Sequence, residues 1–424
     1  MTLIRGVFRN NRCTEAGCDG GGLVAGGALV ANGTQFINNT SQSGGGGGAN
    51  ASGATIIGGL FQDNHCLAGL CNGGGLRADS IALTDTQFIG NSAIANGGGA
   101  YSAGATTVVG GLFQDNFTTT GNGGGLYSGD HLWLTGTDFT GNTSDDDGGG
   151  VFSMDAVTLE YGFFHNNMCA EVGCYGGGLL TFSSLTLTGT QFISNSASSR
   201  GGGVYAYSAI LNGGVFRDNS CWTGGCRGGG LFGSTLALTG TQFLGNTSAG
   251  TGGAVHVGGG RLVNALFARN SAASNGAAVY LDGVFSTTIL HNTIAGPTQS
   301  SAAAIDVAGA GTVGITNTVI TSHSVGISRT AGIVYEDYNL FFNTPAVTAG
   351  GVITGGHSFS GNPAFVDPTL DDYHLGPGSA AIDEGVNAGV TDDIDEQPRP
   401  RDAGFDIGFD EFAFHVLYLP MFLR

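Results

Sequence analysis

The chain has 424 residues, of which 81 are Gly and 8 Pro, so about a fifth of the backbone comes from the residues least tolerated inside helices, and a mostly helical protein is excluded. Hydrophobic residues make up 41% and charged residues 11%, which leaves enough apolar surface for a folded core and no resemblance to a disordered, charge-rich chain. The net charge is −19 with Arg as the sole strong base, which argues against nucleic acid as a partner, and no apolar run of about 18 residues offers a transmembrane helix.

From the first residues onward, Phe-x-x-Asn recurs at Phe8/Asn11, Phe36/Asn39, Phe61/Asn64, Phe88/Asn91, Phe113/Asn116, Phe139/Asn142, Phe164/Asn167, Phe192/Asn195, Phe216/Asn219, Phe243/Asn246 and Phe267/Asn270, at intervals of 24 to 28 residues. A Gly-Gly-Gly-aliphatic motif, loosened to Gly-Gly-Ala and Gly-Ala-Ala in the last two repeats, follows each Asn after a short loop, as at Gly73 to Leu76 and Gly201 to Val204. Between these landmarks, stretches such as Leu185 to Phe192 and Leu236 to Phe243 alternate with period two and read as strands. About 25 residues at ~3.3 Å each suffice for one triangular coil of three short strands. Parallel stacking of such coils, with the usual handedness of parallel crossovers, predicts an all-β, right-handed parallel β-helix over residues 1–354, about 26 residues per coil. Phe is expected to pile up inside, and Asn to occupy the corner in left-handed backbone with its amide bonded to the coils above and below. Leu3 to Asn11 reads as the second half of a coil, with no charged and apolar leader before it. Residue 1 is therefore not expected to be the natural start, and an open first coil predicts end-to-end self-association or a place within a longer protein.

All eight cysteines share one spacing, with Cys13 and Cys18, Cys66 and Cys71, Cys169 and Cys174, and Cys221 and Cys226 as the pairs. Each pair begins two residues after a ladder Asn, and the pairs recur on alternate coils. Pairs two coils apart would lie about 9.6 Å apart along the axis, too far for a disulfide, so pairing within each loop is expected, in an oxidising, extracytoplasmic setting. Zinc is the competing reading, but among the neighbours of these pairs only His65 could add a ligand.

The combination of Gly-Gly-Ala/Leu with Phe-x-x-Asn over roughly residues 1 to 300 resembles the repeats of chlamydial polymorphic outer membrane proteins and related bacterial surface β-helices. The resemblance implies a secreted or surface-displayed, pectin-lyase-like β-helix. Beyond residue 280 the repeat decays through Thr-Ile-Leu-His-Asn (288–292), Thr-Asn-Thr-Val-Ile (316–320) and Tyr-Asn-Leu-Phe (338–341). An acidic module over 355–412 then begins, because the last 70 residues hold 13 of the 32 acids. Its run of Gly361-Asn-Pro-Ala-Phe-Val-Asp-Pro, Tyr373-His-Leu-Gly-Pro-Gly-Ser-Ala-Ala-Ile-Asp, Asp395-Glu-Gln-Pro-Arg-Pro-Arg and Asp406-Ile-Gly-Phe-Asp-Glu resembles the choice-of-anchor Q ending of bacterial secreted β-helices, departing from it at Glu396, where Gly is expected. A cap on the last coil is its expected role. The apolar tail 413–424 is too short to span a bilayer and is read as a docked tail or an anchoring signal.

Many β-helices cleave acidic polysaccharides. Asp130 and Asp155 occupy equivalent places in adjacent coils, with His131 and Glu160 nearby, and stacking would bring the carboxylates to the separation of about 5 Å used by retaining glycosidases. Any two stacked residues lie that close, and turn-corner Asp is the plainer reading. Arg77, Arg200 and Arg261 could support lyase chemistry, but no Asp cluster with calcium spacing accompanies them; the run Asp145 to Asp147 is a solvated loop or at most a weak calcium site. No cofactor is expected beyond this possible calcium.

A second candidate is a stripe two places after each Gly motif: Val24, Asn50, Arg77, Tyr101, Tyr127, Phe152, Leu180, Tyr205, Phe232, His256 and Tyr280. Its aliphatic and small neighbours should point inward, so the aromatic residues should face out as a ladder with ~4.8 Å steps. Tyr101, Tyr127, Phe152, Tyr205 and Phe232 are the expected binding residues for extended glycan or a surface protein. The function expected from the sequence is a secreted or cell-surface structural or adhesive protein, with a polysaccharide lyase or glycoside hydrolase as the alternative.

Overall fold

The computed structural model describes residues 1–15, 17–300 and 302–413, the side chains of 298–300 excepted. Apart from residue 413, the apolar tail lies outside the described residues. The chain forms an all-β solenoid of about 14 turns, with about 25 residues per turn. Among the described residues its three sheets hold 24, 15 and 11 strands, each paired in parallel with the equivalent strand of the next coil. In the coil that opens at Gly73, Leu76–Ala78 and Ile81–Thr84 belong to the first sheet, Gln87–Ile89 to the second and Ser92–Ala93 to the third.

Stacking turns each repeated residue into a column. The rings from Phe8 to Phe267 lie nearly parallel with centroids 4.5 to 5.1 Å apart, and from Phe36 onward they are sealed from solvent. Each removes from water apolar surface worth about 2 to 3 kcal/mol. Beside them, each ladder Asn donates its amide to the next Asn Oδ1 at 2.8 to 3.0 Å, from Asn11 through Asn270. The Gly triplet is a steric requirement. Gly73 has φ +72, a Cβ on Gly74 would lie 2.3 Å from the Gly98 carbonyl oxygen, and one on Gly75 would lie 2.7 Å from that of Gly99.

The eight cysteines form four disulfides, each within its own loop: Cys13 bonds Cys18, Cys66 bonds Cys71, Cys169 bonds Cys174 and Cys221 bonds Cys226, with Cα separations of 5.5 to 6.0 Å. No thiol is left to hold zinc, and His65 instead bonds Ser92 Oγ through Nδ1 at 2.8 Å. The pairing is the one expected, and the bridges are built into the coils. The first cysteine of each pair ends a strand of the third sheet, as in Arg12–Cys13 and His65–Cys66. Cys18, Cys71, Cys174 and Cys226 stand two residues before the Gly triplets and are buried. Cys66 and Cys71 pack on Ala93 of the next coil, and Cys169 and Cys174 on Ala197, so these two bridges also cover apolar surface.

Two other expectations need correction. Leu185 to Phe192 is not one strand: Leu179–Thr188 ends at a corner where Gly189 has φ +59, and Gln191–Ile193 begins the next side. Leu236 to Phe243 is likewise broken at Gly240, φ +64. Alternation hid the corner, although Phe192 stands an odd interval beyond inward-facing Leu187, which only a bend permits. The left-handed corner residue is also not the ladder Asn but the one before it, such as Asn38 (φ 52), Asp63 (φ 51) or Asp115 (φ 52).

Solenoid pairing continues as far as Phe359–Ser360. The segment after it was expected as a cap, yet it packs along the flank of the second sheet. Tyr373 and Phe409 cluster with outward-facing Leu244, Leu266, Ala268 and Ala295, while Leu375, Ala381 and Ile407 cluster with Val319 and Leu340. Earlier coils present Gln62, Gln114, Thr140 and His165 at the outer position that Leu244 and Ala268 fill later, and the apolar ones need cover. Asp371 fastens the contact by pairing with Arg217 at 2.8 Å and with Arg269. Within the segment, Arg399 and Glu411 form an ion pair of 2.7 Å with side chains 0% and 1% exposed, which explains the Arg-Pro-Arg and Asp-Glu motifs. Glu396 has φ 62, so the expected Gly is replaced where the backbone favours it.

Candidate functional site

Two parallel rows run along the solenoid, one on the outer surface of the first sheet and one at the turn that leads into it. One row is the stripe expected from the sequence. Arg77, Tyr101, Tyr127, Phe152, Leu180, Tyr205, Phe232, His256, Tyr280 and Asp306 are register partners in successive coils. Their flanking residues, such as Val151 and Leu179, belong to the interior, so the rings lie outside the coil. Tyr101 and Tyr127 stack at 4.9 Å, Tyr127 and Phe152 at 5.1 Å, and Tyr205 and Phe232 at 5.2 Å. Burial pushes the Tyr127 hydroxyl above its usual pKa, with the neighbouring Tyr101 adding to the shift.

The stripe is not evenly open. Phe152 is 4% exposed and Leu180 is sealed, because Phe182 stands edge-on between Phe152 and Tyr205 at 5.9 and 5.8 Å. The open aromatic surface here belongs to residues outside the expected set: Phe182, Trp133 and Tyr207 are 46%, 43% and 61% exposed. Phe182 and Tyr207 lie further along the strands that carry Leu180 and Tyr205, and Trp133 lies on Leu132–Thr135, the next strand segment of the same sheet, so the signal was present just beyond the stripe.

The second row stands immediately before each Gly triplet. The main-chain N–H groups of Asn96, Asn122 and Asp147 each donate at 3.0 Å to the side-chain oxygen of the previous residue in the row, beginning with Asn72. Tyr175 then donates its N–H to Asp147 Oδ1 at 2.7 Å. Asp147 is thus a rung of this ladder, and burial raises its carboxyl to about 6 against the pull of the Tyr175 amide. Arg200 and Arg227 continue the row, and the Arg200 guanidinium sits 5.1 Å from both the Tyr175 and Phe232 ring centroids. Next to it, His256 bonds Thr251 through Nδ1 at 2.8 Å and Asp282 through Nε2 at 2.9 Å. Burial lowers the His256 pKa although Asp282 pulls the other way. Arg227, Tyr280 and these residues line a depression of about 220 Å3.

No family model matches this chain, and no curated protein is significantly similar to it.

Asp130 and Asp155 are both exposed, at the bends between the two strand segments of the first sheet. Asp130 Oδ1 accepts the His131 N–H at 2.7 Å, and the main-chain carbonyls of both Asp residues accept hydroxyls from Ser128, Ser153 and Thr181. The His131 ring stacks on Trp133 at 4.1 Å. No helix among the described residues is long and apolar enough to cross a membrane.

Sequence reading passed over one cluster entirely. In the flank segment, His374 Nδ1 bonds Asp372 Oδ1 at 2.7 Å, and Nε2 faces Asp395 Oδ2 at 3.0 Å with Asp410 beside them. The three ligand residues are 374, 395 and 410, and such distances along the chain carry no spacing signal.

Proposed function

We propose that this protein is an extracellular or cell-surface β-solenoid that binds extended glycan along the double row formed by its first sheet and the turn that leads into it. The carrying observation is the pairing of flat, stacked rings with a parallel polar ladder. The stacked rings of Tyr101, Tyr127 and Tyr205 turn their faces to one another, which leaves their edges and hydroxyls for the C–H and hydroxyl groups of sugar units, while Arg200, Arg227 and the Asn row suit hydroxyls and any carboxylates. Repetition at each coil matches a ligand that itself repeats. Four disulfides favour an oxidising compartment. The resemblance of the repeats to surface β-helices, and of residues 361–411 to a choice-of-anchor Q ending, supports display at the surface, with a glycan or a surface protein as partner.

Retention of the full chain on immobilised cell-wall and exopolysaccharide preparations tests the reading, with product release monitored in the same samples. Combined Tyr101→Ala, Tyr127→Ala and Phe182→Ala should weaken retention at least tenfold while the circular dichroism stays unchanged; Phe152 is left intact because it is buried. Retention equal to the parent would overturn the reading.

A further inference from the structure

The cluster at His374 has the features of a metal centre. We propose that His374, Asp395 and Asp410 bind a first-row divalent cation, with Zn2+ the ion that best fits one imidazole nitrogen and two carboxylates. Their donor atoms all lie within 4.8 Å of one another. In tetrahedral geometry, ligand bonds of about 2.0 to 2.2 Å place the donors about 3.3 to 3.6 Å apart, so closing around an ion draws the widest pair together by at most about 1.5 Å, within the reach of side-chain rotation.

Three further observations point to an ion rather than to a solvated acidic patch. First, the imidazole is held from behind: Asp372 Oδ1 takes both the ring Nδ1 side at 2.7 Å and the His374 main-chain N–H at 3.2 Å. This carboxylate-histidine arrangement leaves the Nε2 lone pair for a metal. Second, Nε2 is shut off from water and lies 3.0 Å from Asp395 Oδ2, yet the pair lacks the geometry of a hydrogen bond. Two electron-rich atoms facing each other in this way are what an ion between them would bridge. Third, Asp410 is 5% exposed, and its Oδ2 is fixed by the Leu375 N–H at 2.7 Å. A buried carboxylate of this kind needs a counter-charge. Gln397 Oε1, also buried and without a partner, lines the same cavity and could serve as a further oxygen ligand.

The three ligands come from the strand Asp372–Leu375, the turn around residue 395 and the segment ending at Glu411. A cation would therefore tie together three parts of the flank segment that the main chain leaves separate, and its role would be a structural staple.

The experiment uses the full chain, without a histidine tag, after dialysis against chelator. Titration calorimetry and native mass spectrometry with Zn2+ should give one saturable site per chain. His374→Ala and Asp395→Ala should each weaken that site at least tenfold, and Asp395 is exposed enough for its removal to leave the fold intact. Asp145→Asn with Asp146→Asn, in the acidic loop of another coil, should leave it unchanged. Zn2+ should also protect residues 361–413 from proteolysis in the parent but not in Asp395→Ala. Absence of a saturable site, affinity equal to the parent's in the His374 and Asp395 variants, or a preference for Ca2+ over Zn2+ would overturn the proposal.

Discussion

Asn64 Oδ1 accepts two hydrogen bonds from Asn39, one from its main-chain N–H at 3.0 Å and one from its side-chain amide at 2.9 Å. Asn64 in turn gives its own amide to the Phe36 carbonyl and to Asn91. Every polar atom of the buried amide is used, and the same holds along the column. Replacing a central rung removes more than its own bonds. Asn142→Ala would leave the N–H and one of the two amide hydrogens of Asn116, and the carbonyl of Phe113, without their partners, and would take one donor from Asn167 Oδ1. We expect it to cost about 3 to 5 kcal/mol, since each buried unpaired group costs about 1 to 3 kcal/mol. Asn11→Ala, at the exposed first rung, should cost far less. Guanidinium unfolding of the two variants decides, and equal losses would mean that the column is not the source of the stability.

Each disulfide closes a loop of six residues, whose removal should cost at most about 2 kcal/mol in the chain-entropy model. Thiol titration of the denatured, unreduced protein should find no free thiol. Replacing Cys66 and Cys71 together by Ala should keep the β-sheet spectrum and lower the unfolding midpoint modestly, because the loop sits at the edge of a coil already held by the Asn and Phe columns. Loss of the fold on reduction would contradict this.

The columns were legible because stacking forces the same residue to recur, so the repeat period, the interior Phe, the Asn column and the pairing of cysteines within loops could all be read from spacing. What stayed hidden depends on contacts outside the repeat. Gly189 looks like any turn glycine until Leu187 and Phe192 are both known to point inward. Nothing in the order of residues shows that Phe182 leans across Phe152, or that Leu244 and Leu266 require a cover supplied more than 100 residues later. His374, Asp395 and Asp410 meet only because that cover folds back on itself.

Asp147 offers a test by pH. Its folded carboxyl titrates at about 6, above the ordinary 3.8. Below about pH 4 the group is protonated whether folded or not, so it has no effect. Between about pH 4 and 6 the unfolded chain loses the proton first, so stability falls as pH rises and stays lower above 6. Asp147→Asn should abolish this loss while extending the row of Asn72, Asn96 and Asn122 with an oxygen still able to accept the Tyr175 N–H. Discounting for partial exposure, a gain of about 1 kcal/mol at pH 7 and none at pH 4 is expected from paired denaturation curves. A gain that is the same at both pH values would place the effect elsewhere.

Arg399 is the hub of the flank segment, donating to Glu411 Oε1 at 2.7 Å, to the Gly408 carbonyl at 2.9 Å and to Asn264 Oδ1 on the solenoid at 3.3 Å. Truncating one partner of a buried pair leaves the other charge without compensation, at a cost of about 3 to 5 kcal/mol. Because the solenoid has its own columns, Arg399→Ala should release residues 361–413 without melting the coils. Limited proteolysis should then cut within that stretch, leaving a resistant fragment that keeps the β-sheet spectrum. Arg399→Lys should not rescue it, since a single ammonium cannot reproduce the fork that reaches Glu411, Gly408 and Asn264 together. Arg399→Met combined with Glu411→Leu should be milder than Arg399→Ala, because no lone charge remains buried. If the single variant resists protease as well as the parent does, the pair is not what holds the segment to the flank.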